Sequence, residues 1–568
     1  MGGLQTQKHT EGLFQSTTEG CTTRILAVGH DAYGFHNAFL NVANPDTKKI
    51  VIHAFPHDID LSPLEACNNL ESFELSSAPP DEIFQQTGLP MRAYVSRWKA
   101  AGATIDLTSL ARCRKLREFK ISTEVPQISL SFASSCPNLR RVVIEHRGYS
   151  EEPNEASLDL GALENCSELK DIDIRAYGPH MQMQPDLQFL RGCAKVRQAT
   201  LYFGTPNDGK PINFEYISLL TNLQELTASQ DPRRRVCPDG KLIDDNLSRP
   251  DIRPLRDCHR LRSLTLTFSG NAHTPLVDQI DLSCLAEMPE LLHLKIAGVA
   301  CVPDFSPVSA CKKLRTIELL DSRFSEADLS GLSNCRRLES VTVRDNHGPA
   351  KIVLPRLDRH PHMKTISINA FYPRKTDNEK EGESTIDLQP LAGCTSLKEL
   401  NLRGNRTLTR LDLSPLRGLS NLELLDISAN RIEYDHWNLQ HLSNCRSLKR
   451  LFIENPPRRL TCNEGQWTYI VGSLDITPLF GIATLESLVV TALTRDQDYS
   501  PEFSRETRTD PNGYAAENIY YRGVALQALS RDKSVVGELY PKLVADSSRV
   551  RRPRKAPPWL RHYRVEWF

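Results

Sequence analysis

Asp387-Leu-Gln-Pro-Leu-Ala-Gly-Cys394-Thr-Ser-Leu397-Lys-Glu-Leu400-Asn-Leu402 is the clearest of fifteen copies of one pattern. Reduced to its recurring positions it reads D-L-x-x-L-x-x-C-x-x-L-x-x-L-x-L. Counted from the first leucine of the L-x-x-L-x-L core, the anchors are Leu70, Leu116, Leu139, Leu169, Val196, Leu223, Leu261, Leu291, Leu314, Leu338, Met363, Leu397, Leu422, Leu448 and Leu485. Where no insertion intervenes, they recur every 23–30 residues. The residues three and five beyond each anchor are apolar in every copy, as at Ile172 and Ile174. Period-2 alternation over so short a run predicts a strand with one buried face.

The other half of each copy opens with Asp in most cases, from Asp60 to Asp475, and with Asn at Asn213 and Asn438. Asp and Asn accept hydrogen bonds from the first free N–H groups of a helical turn, so each is expected to cap a short helix or 3-10 segment. Proline sits three residues later in copies such as Pro63, Pro390 and Pro478, where a missing N–H is tolerated. Seven residues separate the capping position from the Cys position in every copy. All length variation falls after the strand, with long insertions at 79–105, 228–250, 370–385 and 455–474.

Composition narrows the class. Lys plus Arg equals Asp plus Glu, 70 against 70, so no global field steers the chain toward nucleic acid or acidic membrane. No stretch of about 18 apolar residues predicts a transmembrane segment, and the polar start lacks the apolar core of a secretory signal. Ten of the fifteen cysteines occupy one repeat position, where other copies hold Leu220, Met288, Leu419 or Ile482. That exchange marks a buried apolar site and a reduced array, expected in the cytoplasm or nucleus. No C-x-x-C pair supports zinc, and no metal or cofactor is expected.

On these residues the chain resembles the leucine-rich repeat superfamily across 60–490. The resemblance implies an α/β right-handed solenoid, a horseshoe with a parallel sheet on the concave face and short helices or 3-10 turns on the convex face, acting by protein–protein recognition. Two departures stand out. The Asn that usually follows the strand occurs only at Asn346, Asn405 and Asn430. The Cys position looks like half of the cysteine-containing class found in F-box substrate receptors, but the second Cys is irregular and residues 1–50 supply no F-box. The expected organisation is a disordered segment at 1–23, a cap at 24–59 with Ile50 and Ile52 in a strand, the solenoid at 60–494, and a C-terminal region at 495–568 with a helix from Val524 to Leu543 and a basic aromatic tail.

Residues two, four and six beyond each anchor point away from the core and form the principal candidate surface. Among them are Glu74, Glu118, Lys120, Arg141, Asp171, Asp173, Tyr202, Glu225, Lys295, Arg403, Asp426 and Phe452. Their mixed charge, with only Tyr202 and Phe452 aromatic, suits a protein partner; a nucleic-acid groove needs a basic stripe with stacking aromatics. Tyr94 and Trp98 lie with Met91 and Val95 at helical spacing in the first insertion and are candidate partner anchors. Gly2 heads a pattern that fits N-myristoylation. Gly204 to Lys210 resembles a phosphate loop but continues with Pro211 instead of Ser or Thr, and it reads as a turn. No nucleophile–base pair emerges, so the expectation is a non-enzymatic binding scaffold using the concave face and the insertion-bearing edge. The alternative is an adaptor or effector whose repeats select a target while 495–568 recruits other machinery.

Overall fold

In a computed structural model of the chain, most residues from 43 to 491 are described, with parts of 4–40 and Ala525–Leu526. Outside the description lie mainly the connections 54–58, 78–104, 148–156, 178–184, 205–211, 269–276 and 373–383, several shorter ones, and the rest of 492–568. Tyr94, Trp98, Gly2, the basic tail and nearly all of the Gly204–Lys210 turn therefore fall outside it. The chain forms two compact units, Met1–Val299 and Ala300–Phe568.

Local hydrogen bonds explain each repeat. Asp60 Oδ1 accepts the Ser62 N–H at 2.8 Å, two residues on, and the same Asx turn recurs at Asp106, Asp159, Asp186, Asp251, Asp281, Asp304, Asp328, Asp387 and Asp412. The carboxylate thus braces the turn from one residue ahead of the N-cap, Leu61 in the first copy, a displacement from the expected capping position, whereas Asn438 does cap its segment by accepting the Gln440 N–H. Successive i→i+3 bonds then lead to the strand: Leu64 N–H to Leu61 O, Cys67 N–H to Leu64 O, and Leu70 N–H to Cys67 O, each 2.9–3.0 Å. The helical segments named among the described repeats are 3-10, mostly five residues long. Five residues with a fixed start and end leave no room for a propagating i→i+4 helix, whose nucleation is costly.

In the first unit a parallel sheet runs through Thr22–Gly29, Lys49–His53, Ser72–Ser76, Glu118–Thr123, Arg141–His146, Asp171–Ala176, Gln198–Gly204, Glu225–Asp231, Ser263–Thr267 and His293–Ala297. Ile50 and Ile52 lie buried in its second strand, the element expected for them. The polar start departs from the expectation of disorder: Leu4–His9 and Gly12–Glu19 pair antiparallel and continue onto Thr22–Gly29. Main-chain pairing there satisfies groups that the first sheet edge leaves open.

The second unit repeats the arrangement through Thr316–Leu320, Ser340–His347, Thr365–Tyr372, Glu399–Asn401, Leu424–Asp426, Arg450–Ile453 and Ser487–Thr491. Ala525–Leu526, inside the stretch expected as a helix, instead pair antiparallel with the last of these strands. The same open-edge argument accounts for it. Two insertions fold back as hairpins, Arg235–Val236 with Leu242–Ile243 and Arg458–Asn463 with Gln466–Ile470. Asn405 and Asn430 form a short buried ladder: Asn405 Nδ2 donates to Ile368 O and Leu402 O, and Asn430 Oδ1 accepts the Asn405 N–H.

The cysteine column has more chemistry than an apolar site. Cys136 Sγ lies 3.6 Å from Leu110 O and Cys166 Sγ 3.5 Å from Ala133 O, each thiol donating to a carbonyl of the preceding repeat. Cys113, Cys193, Cys258, Cys335 and Cys445 do the same. Leu, Met and Ile fill the volume but cannot donate. All twelve described cysteines are free thiols, and Cys21 is exposed.

Burial pushes Cys113, Cys136, Cys193, Cys258 and Cys311 up to about 12, and Cys166, Cys335 and Cys445 up to about 11. Since only the thiolate reacts, site-resolved alkylation of native protein at neutral pH is expected to label Cys21 and spare the column until denaturant is added. These raised thiols favour the fold in full below their ordinary value of 9.0. The contribution is lost as pH rises from there through the folded values, because the unfolded chain releases those protons first. Denaturant midpoints should accordingly fall from pH 9 upward.

Candidate functional site

The in-register stacking of parallel strands places outward residues of equal repeat position side by side. In the first unit this brings Glu74, Glu118, Lys120, Arg141, Asp171 and Asp173 onto one face. Arg141 bridges three strands: its Nη1 lies 3.1 Å from Glu118 Oε1 and its Nε 3.0 Å from Asp171 Oδ2. Lys120 Nζ lies 2.7 Å from Glu74 Oε1, and Arg175 holds Asp173 at 2.9 Å.

Toward the downstream end of the strands a second cluster forms around Glu145. It accepts from Ser122 Oγ at 3.0 Å, Tyr177 Oη at 2.7 Å and Arg147 Nη2 at 2.8 Å. Tyr177 meets Tyr202 edge-on, with ring centroids 5.3 Å apart, and the Arg147 guanidinium stands 5.7 Å from the Tyr177 centroid. Together these residues form a half-buried polar face with two aromatic rings at its margin.

The electrostatics differ along this face. Burial raises the Asp171 carboxyl above its ordinary value; Arg141 opposes the rise, while Asp173, Glu118 and Glu225 add to it. At Glu145 burial acts upward too, but hydrogen bonds from Tyr177, Arg147 and Ser122 outweigh it and the net shift is downward. Asp171 is thus an anion in a locally acidic setting, supported by one guanidinium. A cationic group from outside would relieve it. The exposed ion pairs around it contribute little to folding, so their arrangement is free to serve recognition.

Glu225 lies exposed two strands beyond Asp171, and Lys295 is half-buried farther along the same sheet. The other candidates belong to the second unit. Arg403 is exposed and Phe452 half-buried. Asp426 departs from its expected outward role: it is 8% exposed, and its carboxylate accepts the Ser428 N–H at 3.0 Å and the Ser428 hydroxyl. It braces the turn after its strand. Sequence reasoning missed Arg147 and Tyr177, which lie beyond the six positions counted from the anchor. The signal was there, since both sit eight residues after their anchors, Leu139 and Leu169. Among the described residues no group of His, Cys, Asp or Glu is arranged to hold a metal ion, and no helix is long and apolar enough to cross a membrane.

No family model and no curated protein matches the chain. Solved structures do. A chain of the glycosylated Drosophila Toll–Spatzle complex aligns at 13% identity over 80% of this chain and 59% of its own, with a TM-score of 0.50; this protein therefore spans less than two thirds of that chain's length. A leucine-rich repeat protein of Leptospira interrogans aligns at 14% identity over 76% of this chain and 89% of its own, TM-score 0.41. The functional domain of InlJ from Listeria monocytogenes, described as including a cysteine ladder, aligns at 15% identity over 67% and 64%, TM-score 0.35. At these identities the likeness concerns the fold.

Proposed function

Because this chain has the leucine-rich repeat fold, we propose that it is a non-enzymatic interaction scaffold whose first unit binds a protein partner through its strand face. One observation carries the reading: three neighbouring polar groups, Glu118–Arg141–Asp171, Asp173–Arg175 and Glu145–Tyr177, lie on adjacent strands of one open face. Folding does not require them, since the apolar columns beneath already account for the core. A surface held in place by stacked repeats loses little conformational entropy on association. The reduced thiol column fits a cytoplasmic or nuclear setting.

The test is quantitative proximity labelling in the native host, comparing wild type with an Asp171→Lys/Asp173→Lys variant. A defined set of neighbours should drop out of the variant while its melting curve stays that of wild type. An unchanged neighbour set in a folded variant would remove the strand face from the proposal.

A further inference from the structure

The sheet of the first unit has a second surface, its upstream edge, where each chain enters its strand. The residue one beyond each anchor lies there. Backbone bonds align these residues in a column: Arg140 N–H to Arg117 O at 2.7 Å, Lys170 N–H to Arg140 O at 2.8 Å, Arg197 N–H to Lys170 O at 2.8 Å, Gln224 N–H to Arg197 O at 2.8 Å, and Arg262 N–H to Gln224 O at 2.7 Å. Consecutive members are one strand spacing apart, so Arg117 to Arg262 covers roughly 24 Å at about 4.8 Å per strand. The column is Arg-Arg-Lys-Arg-Gln-Arg on a chain of zero formal net charge.

The side chains of Arg117, Arg140, Lys170, Arg197 and Arg262 are exposed. Glu71 engages Arg117 at 3.0 Å, at the start of the column. Glu168, on the adjoining turn, pairs with Lys195. Arg140, Lys170, Arg197 and Arg262 make no ion pair among the described residues, although Arg140 and Lys170 lie close enough to Glu168 to help hold its carboxyl below the ordinary value, after the larger effect of Lys195.

The second unit supplies an internal comparison. Its equivalent column is Arg315, Glu339, Lys364, Lys398, Glu423 and Lys449, aligned by the same backbone bonds. Here every anion is clamped by two cations. Glu339 meets Arg315 at 3.6 Å and Lys364 at 2.7 Å, and Glu423 meets Lys398 at 3.0 Å and Lys449 at 2.8 Å. The hydrogen bonds from Lys449 and Lys398 draw Glu423 down to about 2. The same architecture thus carries in one unit a ladder whose four cations are all paired, on two carboxylates, and in the other a run in which four of five cations have no carboxylate within ion-pairing distance among the described residues. Like charges stacked at one strand spacing repel, so the unpaired run of the first column does little for folding.

We propose that the column Arg117–Arg140–Lys170–Arg197–Arg262 is a docking rail for an extended acidic segment of a protein partner. This rests on the reading of the chain as a protein-binding scaffold and names the chemistry of what is bound. Guanidinium forks match carboxylates in bidentate geometry. Two strand spacings come to about 10 Å, close to three residues of extended peptide at about 3.3 Å each. A segment with Asp or Glu at every third position therefore meets the rail in step. Gln224, the uncharged member, leaves room for a side chain that is out of step. The rail positions and the residues flanking their anchors include no aromatic ring, so the stacking that binds single-stranded nucleic acid has no platform there.

The experiment uses the full chain and fluorescence anisotropy with three probes of equal length: oligoglutamate, oligoglutamine and oligothymidylate. About eight residues suffice to span the rail. Wild type should bind oligoglutamate in a salt-sensitive manner and ignore oligoglutamine. Arg140→Ala/Lys170→Ala/Arg197→Ala should weaken oligoglutamate about tenfold or more. Lys364→Ala/Lys398→Ala, in the ladder whose cations are all paired, should leave it unchanged. All substituted residues are exposed, and matching melting curves establish that the variants fold.

Absence of oligoglutamate binding, indifference to the triple substitution, or tighter binding of oligothymidylate would each overturn the proposal. Asp171→Lys/Asp173→Lys separates it from the strand-face reading. That variant should lose protein neighbours yet retain oligoglutamate, whereas neighbours that depend on the strand face in a chain that ignores oligoglutamate would sink the rail alone.

Discussion

Gly192→Ala is expected to destabilise the first unit by more than about 3 kcal/mol, a large effect for a single methyl group. A Cβ built on Gly192 would lie 1.7 Å from Glu164 O and 2.6 Å from Glu164 C. Both are backbone atoms of the preceding 3-10 turn, Gly161–Asn165, so no side chain can swing aside. Relief requires the two turns to separate, and the cysteine column runs between them: Cys193 Sγ donates to Leu163 O at 3.5 Å. Gly331 repeats the situation in the second unit, 2.4 Å from Phe305 O. Gly418 is the comparison, because a Cβ there meets nothing within 4 Å; Gly418→Ala should be neutral or slightly stabilising. Site-resolved amide hydrogen exchange suits the measurement, since repeats open locally. Gly192→Ala should lose protection first at the turns on either side of position 192. Equal protection in the two alanine variants would refute the argument from close approach.

Phe119→Ala should cost about 3–5 kcal/mol. Phe119 is fully buried in the strand Glu118–Thr123, with Phe73 stacked at 6.1 Å and Phe132 tilted at 5.0 Å between centroids. Phe73 belongs to the preceding strand and Phe132 to the following 3-10 turn, so the ring joins three successive repeats. Most columns here use Leu, Ile or Val, whose loss leaves a smaller cavity. The substitution should lower the denaturant midpoint of the first unit, with the second unit's transition unmoved. A shift no larger than that of Ile121→Val, roughly 1 kcal/mol, would show that neighbouring repeats collapse around the gap.

The repeat body was legible in the sequence because its determinants are local and recur. Strand leucines, the Cys position and the Asp positions each declare themselves within a sixteen-residue window such as 387–402. What escaped depended on neighbours. The Asx turn differs from a helix cap by one residue, a distinction made by backbone geometry that the residue type alone does not specify. The strands before residue 30 lack the motif and are recruited by an open sheet edge. Asp426 carries the pattern of an outward residue, yet Ser428 two positions later turns it into a local brace.

The candidate surface was legible as a set of positions but not as a set of pairings. Whether Arg141 serves Glu118, Asp171 or both depends on stacking, and insertions of unequal length obscure the alignment of repeats. The basic column needed only one more position per repeat to be counted.

One feature of the chain has consequences for what can be added to it. The segment from Asp to Cys keeps one length throughout, because its turns hydrogen-bond within the repeat and its thiols reach back to the repeat before. An extra residue there would break bonds on both sides. Downstream of the strand, each doubling of loop length costs only about 0.6 kcal/mol in closure entropy, and two such loops already fold into hairpins of their own. The molecule therefore has a side on which it can be enlarged and a side on which it cannot. Grafted loops, fluorescent tags or whole domains belong on the first, where they leave the basic column uncovered.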